Sequence, residues 1–150
     1  MAQHGGEHGM TREDIVALMK QRNAAWAARD AAALAATHAA TGVVASPLGG
    51  ALEGREEIER VYRTLLNAFS DLRFYPEELI IDGNRVVQIA KLAGTHTGEF
   101  FGMPPTSRHV VVQVALLMSV ANGLVVEERR IYDFTGMLVQ VGVLKARPNA

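Results

Sequence analysis

The 150-residue chain contains no cysteine. That absence excludes a disulfide framework, thiol catalysis and any metal site built on thiolates. Excess charge is also missing. Fifteen Lys and Arg stand against sixteen Asp and Glu, a net of -1 with His neutral, so neither nucleic acid nor a membrane surface is expected as a partner. No apolar run approaches the ~18 residues needed to span a bilayer. The opening residues, Met1 to Met10, lack the basic and apolar regions of a secretory signal. The expectation is a cytoplasmic protein whose residues 1–10 form a disordered tail, with His4 and His8 inside it. No His, Asp and Glu spacing suggests a metal site, and no cofactor is expected.

What is present is a globular composition, 49% apolar and 21% charged, in a length that suits one domain, residues 11–150. Thr11 followed by Asp14 has the pattern of a capping box. Ile15, Leu18, Met19 and Trp26 then make a helical stripe interrupted by Arg22. Asp30 caps a second helix expected from Ala31 to His38, where His38 reads as a structural residue at a helix end. Val43 to Ser46 is a short strand ended by Pro47 and a Gly49-Gly50 turn. A third helix is expected from Arg55 to Phe69, with Ile58, Val61, Tyr62, Leu65 and Phe69 on one face.

After Ser70 the period changes to two. Strands are expected at Leu72–Ile81, with Pro76 marking an edge or bulge, and at Val86–Ala93, His109–Val120 and Leu124–Phe134. Asp82-Gly83-Asn84 and Asn122-Gly123 serve as hairpin turns. Thr135 to Leu144 fits either a short helix or a closing strand. Helices first and antiparallel strands second is an α+β order. Three helices cover only one face of a four- or five-stranded sheet, yet His109 to Val120 is apolar on both faces. A second subunit is the expected cover of the other face, giving a homodimer through the sheet.

The segment Gly94-Thr95-His96-Thr97-Gly98-Glu99-Phe100-Phe101-Gly102-Met103-Pro104-Pro105-Thr106 joins two of these strands. A His, a Glu and two adjacent Phe on a loop stiffened by two prolines are an unusual composition for a connector. It resembles the corresponding loop of the SnoaL-like polyketide cyclases, also called ester cyclases. These belong to the ketosteroid isomerase-like (nuclear transport factor 2-like) superfamily. The similarity runs from about Ile15 to Leu144. It includes Gly42-Val43-Val44-Ala45-Ser46-Pro47, Gly54-Arg55-Glu56-Glu57-Ile58, Ile81-Asp82-Gly83-Asn84-Arg85-Val86 and Glu127-Glu128-Arg129-Arg130-Ile131-Tyr132-Asp133-Phe134. The resemblance implies a cone-shaped α+β barrel: N-terminal helices packed on a curved, mostly antiparallel sheet around an apolar pocket.

By the same resemblance, the acid/base aspartate of the cyclases falls at Leu116, an apolar side chain that moves no proton. The ketosteroid isomerase base falls at Ser46 and its oxyanion-donating tyrosine near Arg22. The epoxide hydrolases of this superfamily use carboxylates on a strand that here reads Val87 to Ala93 and has none. If Leu116 faces inward, so do Val112, Val114, Met118 and Val120, and the family's inward parity on the last strand falls on Val126, Glu128, Arg130 and Tyr132. The candidate catalytic residues are Glu128 as a base, Arg130 as an anion or enolate clamp, and His96 as an acid/base. The candidate ligand-binding residues are Arg22, Trp26, Ser46, Phe101, Leu116, Met118 and Tyr132. Two functions remain open on these residues. One is a cofactor-independent cyclase, isomerase or dehydratase acting on a small hydrophobic carbonyl compound of polyketide, terpenoid or steroid type. The other is a ligand-binding or dimerisation module without catalysis.

Overall fold

The computed structural model describes residues 9–145, so His4, His8 and most of the expected tail lie outside the described residues. Helix α1 (Arg12–Ala27) opens with the anticipated box: the Thr11 hydroxyl accepts the Asp14 N–H at 3.1 Å and the Asp14 carboxylate accepts the Thr11 N–H at 3.0 Å. Its buried stripe holds Ile15, Leu18, Met19, Ala25 and Trp26, and Arg22 is buried with them. Asp30 caps α2 (Ala31–Ala36) through the Ala33 N–H. That helix stops two residues short of the expected end. His38 instead begins strand β1 (His38–Ser46), because its backbone enters a parallel ladder opposite Val125. Strand β2 (Gly50–Glu53) was not anticipated: it has four residues and one buried side chain, Leu52, too little for a period-two signal.

Helix α3 (Arg55–Ala68) is followed by β3 (Arg73–Asp82), β4 (Arg85–Thr95), β5 (His109–Ala121), β6 (Leu124–Tyr132) and α4 (Phe134–Val141). The C-terminal segment is therefore a helix, capped by the Asp133 carboxylate on the Gly136 N–H. Strand order is β2-β1-β6-β5-β4-β3, six strands rather than four or five, and only the β1–β6 pair is parallel. Pro76 does sit at a bulge on an edge strand. Asn122 and Gly123, both at positive φ, make the β5–β6 turn. The sheet curls around the helices without closing. One core gathers Trp26, Tyr62, Phe69 and Phe100, and another gathers Ile15, Leu18, Met118, Val120 and Val125.

A bulge near the start of β6 corrects the expected parity. The register with β5 shifts between Ser119 and Val120, so Val125 faces the core and Val126 is exposed. The extra residue re-phases the strand, and Glu128, Arg130 and Tyr132 fall on the inner face. The outer face carries Ile80, Val87, Ile89, Val111, Leu117 and Ile131; Ile80, Val111 and Ile131 are exposed. Among the described residues, no helix is long and apolar enough to cross a membrane.

The loop between β4 and β5 lies on the end of α3. The Thr97 and Gly98 N–H groups both donate to the Ala68 carbonyl, at 2.9 and 3.0 Å. A Cβ at Gly98 would fall on the Asn67 carbonyl oxygen, so the chain approaches this closely only without a side chain. Gly98→Ala is expected to cost about 1–3 kcal/mol by overpacking, read as a lowered unfolding temperature. An unchanged unfolding temperature would mean that the loop adapts freely.

Candidate functional site

The inner face of the sheet and the helices enclose a cavity of about 100 Å³, lined almost wholly by apolar side chains. Trp26 comes from α1, Val61 and Leu65 from α3, Leu92 from β4, Val110, Val112, Val114 and Leu116 from β5, and Met137 from α4. Trp26 stacks flat on Phe74, with centroids 5.0 Å apart, and meets Tyr62 edge-on. Phe101 also lines the cavity, is about two-fifths exposed and holds a positive φ of 47°. It packs on Phe100, which is fully buried. Ser46, Tyr132, Glu128 and Arg130 supply the polar lining.

Behind that lining lies a buried ionic network drawn from α1, α3, β1 and β6. Glu128 accepts from Arg22 Nη2 on Oε1 at 3.0 Å and from Arg130 Nε on Oε2 at 2.6 Å. Arg22 Nη1 also donates to Thr37 Oγ1 at 2.8 Å and stands 3.3 Å from His38 Nε2. The Tyr62 hydroxyl lies 2.9 Å from His38 Nε2, and the Arg130 guanidinium covers the Tyr62 ring at 4.8 Å. Burial alone would raise the Glu128 carboxyl, but Arg130 and Arg22 outweigh it and hold the group at about 2. Burial pushes His38 down to about 3, so its imidazole is neutral. Burial also opposes the charge on Arg130, yet the Glu128 carboxylate keeps that guanidinium firmly protonated.

This geometry sorts the candidates. Trp26, Ser46, Phe101, Leu116, Glu128, Arg130 and Tyr132 come together around the cavity. Arg22 does not line it but stands behind Glu128 as a second counter-ion. Met118 belongs to the other core, with Ile15 and Leu18. His96 is fully buried in the loop, with Nδ1 3.0 Å from Thr106 Oγ1 and its ring against Phe69 and Phe100; it is not part of the lining. Glu128 is a poor base at neutral pH, being fully engaged by two guanidiniums. Leu116 lies directly across from Arg130 in the β5–β6 ladder, so the position where the resemblance would put the cyclase acid is next to a cation. Sequence reasoning missed the parts of His38 and Tyr62 in the network, since their partners are 16 to 40 residues away. Among the described residues no group of His, Asp and Glu can hold a metal ion.

The shifts set a direction for acid stability. Glu128 falls from 4.5 to about 2 on folding. Its contribution is complete above 4.5 and is lost as pH falls toward 2. His38 falls from 6.5 to about 3. The unfolded chain therefore takes up a proton first, and stability declines as pH drops below 6.5 toward 3. Each group contributes a slope of up to about 1.4 kcal/mol per pH unit inside its window. Unfolding temperature is expected to drop between pH 6.5 and 4.5, and His38→Gln should flatten that part of the curve alone. A wild-type curve that is flat down to pH 4.5 would contradict the buried neutral imidazole.

Comparison with known proteins gives this arrangement a context. The family model for SnoaL-like polyketide cyclases matches residues 16–141. Among solved structures, IdmH of Streptomyces antibioticus, a proposed polyketide cyclase, is 25% identical, with 85% of this chain and 97% of that one covered and a TM-score of 0.71. AclR of Streptomyces galilaeus, a proposed hydroxylase, is 24% identical over 92% of this chain and 87% of that one, with a TM-score of 0.79. A protein of ketosteroid isomerase-like fold from Catenulispora acidiphila DSM 44928, in complex with trimethylamine, is 20% identical over 89% and 95%, with a TM-score of 0.72. No curated protein matches the chain. Helices on a curled, unclosed six-stranded sheet and a family match over residues 16–141 lead to one assignment: the chain belongs to the SnoaL-like polyketide cyclase family.

Proposed function

We propose that the protein binds a small hydrophobic carbonyl compound, of polyketide, terpenoid or steroid type, with the carbonyl oxygen directed at Arg130. The supporting observation is a cavity apolar on nearly every side with a guanidinium among its few polar groups. At about 100 Å³ it is smaller than the ~300–1,000 Å³ of common ligand pockets and closer to the ~150 Å³ void that takes up benzene. A lone ring approaches this size; a ring with a side chain, and a polycyclic ligand more so, requires Phe101 and its loop to move outward.

Family membership favours cofactor-independent acid/base turnover, as a cyclase, isomerase or dehydratase. In that reading Arg130 stabilises an enolate. A second reading, binding without turnover, is favoured by Leu116 at the acid position and by a Glu128 carboxyl held at about 2. The geometry supports the second more strongly, because among the described residues the one carboxylate lining the cavity, Glu128, is ionised but engaged by two guanidiniums. The proposed unit is a homodimer joined through the outer sheet face, where Ile80, Val111 and Ile131 are exposed.

Trp26 is the sole tryptophan and lines the cavity, so its emission reports occupancy. A simple aryl ketone, 4-phenylbutan-2-one, is expected to change that emission saturably, and Arg130→Met to weaken binding by about tenfold. Hydrogen–deuterium exchange at the ketone's α-carbons separates the two readings: exchange at the buffer rate supports binding alone, and acceleration assigns an enzyme. No emission change with any aryl ketone would mean a filled core. Sedimentation at micromolar concentration is expected to give twice the monomer mass, and a monomer there removes the dimer.

A further inference from the structure

The charges around the cavity do not balance. Arg22 and Arg130 are both cations, Glu128 is the one carboxylate between them, and His38 is neutral. One positive charge is left over in a site where Arg22 and Glu128 are almost wholly buried. A charge without a counter-ion is costly when mostly removed from water, as it is on the Arg130 side chain, which is 13% exposed. The surplus resides on the Arg130 side, because Arg22 spreads its donors over Thr37, Tyr62 and Glu128, whereas Arg130 gives only Nε to Glu128. Arg130 Nη2 is buried with no hydrogen-bond partner among the described residues, and so is Trp26 Nε1. Both side chains line the cavity.

Every other polar group in the lining fits the same pattern. Both Glu128 oxygens are occupied. Ser46 Oγ accepts the Leu48 N–H at 3.2 Å and lies 3.3 Å from the Tyr132 hydroxyl. Whichever of those two hydroxyls donates to the other, one O–H is left to donate elsewhere. The cavity wall thus holds unsatisfied donors that neighbouring atoms cover and that come within a ligand's reach only as the lining shifts, a surplus cation and, among the described residues, no free strong acceptor. Its natural complement is a molecule with an apolar body and an anionic oxygen.

We infer that the ligand is a hydrophobic monoanion, a carboxylate or an ionised enol or phenol, whose oxygens accept from Arg130 Nη2 and Trp26 Nε1. This rests on the reading of the cavity as a ligand site and narrows it from carbonyl compounds in general to acids. Arg130 supplies the counter-charge and a directional donor. Trp26 supplies a second donor and, through its stack on Phe74, a flat wall for the apolar body. The anion completes the network: two guanidiniums then face two negative groups. Leu116, directly across the ladder from Arg130, makes a protein-borne version of the same anion available by a single substitution.

The test compares three probes of similar size: 3-phenylpropanoate, 4-phenylbutan-2-one and butylbenzene. Binding is measured by calorimetry and by Trp26 emission at neutral pH. The wild type is expected to bind the acid at least about tenfold more tightly than the ketone. Arg130→Met should reduce that preference to within about twofold, and Arg130→Lys should retain much of it. Leu116→Asp provides an independent arm: its carboxylate pairs with Arg130, so the variant folds, the ketone loses its donor, and the acid, which is repelled as well, loses affinity by about tenfold more than the ketone does. Equal or tighter binding of the ketone in the wild type overturns the inference and leaves the hydrophobic carbonyl reading standing. Failure of all three probes to bind overturns both. Retention of the acid preference in Leu116→Asp, or in a folded Arg130→Met, overturns the seat at Arg130.

Discussion

Removing three ions from water at once is the most demanding event in this structure. Arg22, Glu128 and Arg130 each lose hydration on burial, and the loss is offset only if the hydrogen bonds between them are short and nearly all made. The 2.6 and 3.0 Å bonds to Glu128 meet that requirement. They also fix the relative positions of α1 and β6, while His38 and Tyr62 bring in β1 and α3. A purely apolar junction would tolerate small slides between these elements. An ionic one does not, because a lost partner leaves a charge without solvent or counter-ion. The cavity inherits its shape from this junction, since Trp26 follows Arg22 by one turn on α1 and Arg130 is part of the network itself.

The helical half of the fold was readable because its signals are local. Thr11 with Asp14, and Asp30 before the alanine run, are capping patterns that need no tertiary contact. The hairpin at Asn122-Gly123 is equally local. Strand β2 and the true start of β1 were not readable, because His38 and Leu52 acquire their roles from strands they pair with. Val126 was misplaced for the same reason: a bulge is a property of two strands, and the sequence of one does not announce it. That Glu128, Arg130 and Tyr132 nevertheless fell on the expected face reflects parity carried over from related proteins rather than counted from the turn.

At the site, the residues found from sequence are those whose type is out of place on an apolar strand or helix face: Arg22, Glu128, Arg130 and the leucine at an acid position. The residues missed, His38 and Tyr62, look ordinary in sequence. Tyr62 sits on the apolar face of α3 as a core aromatic should, and only the arrival of Arg22 and His38 at its hydroxyl gives it a second task. His96 shows the converse error. An ionisable side chain on a glycine- and proline-rich loop suggested chemistry, but it packs inward as a support for that loop, bonded to Thr106.

The span of the Arg22–Glu128 contact has a kinetic meaning. The two residues are 106 positions apart, and no local segment can assemble their pairing in advance. Until β6 has joined β5 and both have met α1, each charge remains better off in water, so early collapse of this region is discouraged rather than rewarded. The junction itself therefore closes only once β6, 106 positions after Arg22, has reached α1. A nascent chain still lacking β6 would hold Arg22 in solvent, keeping the inner face of α1 from settling against a wrong apolar partner.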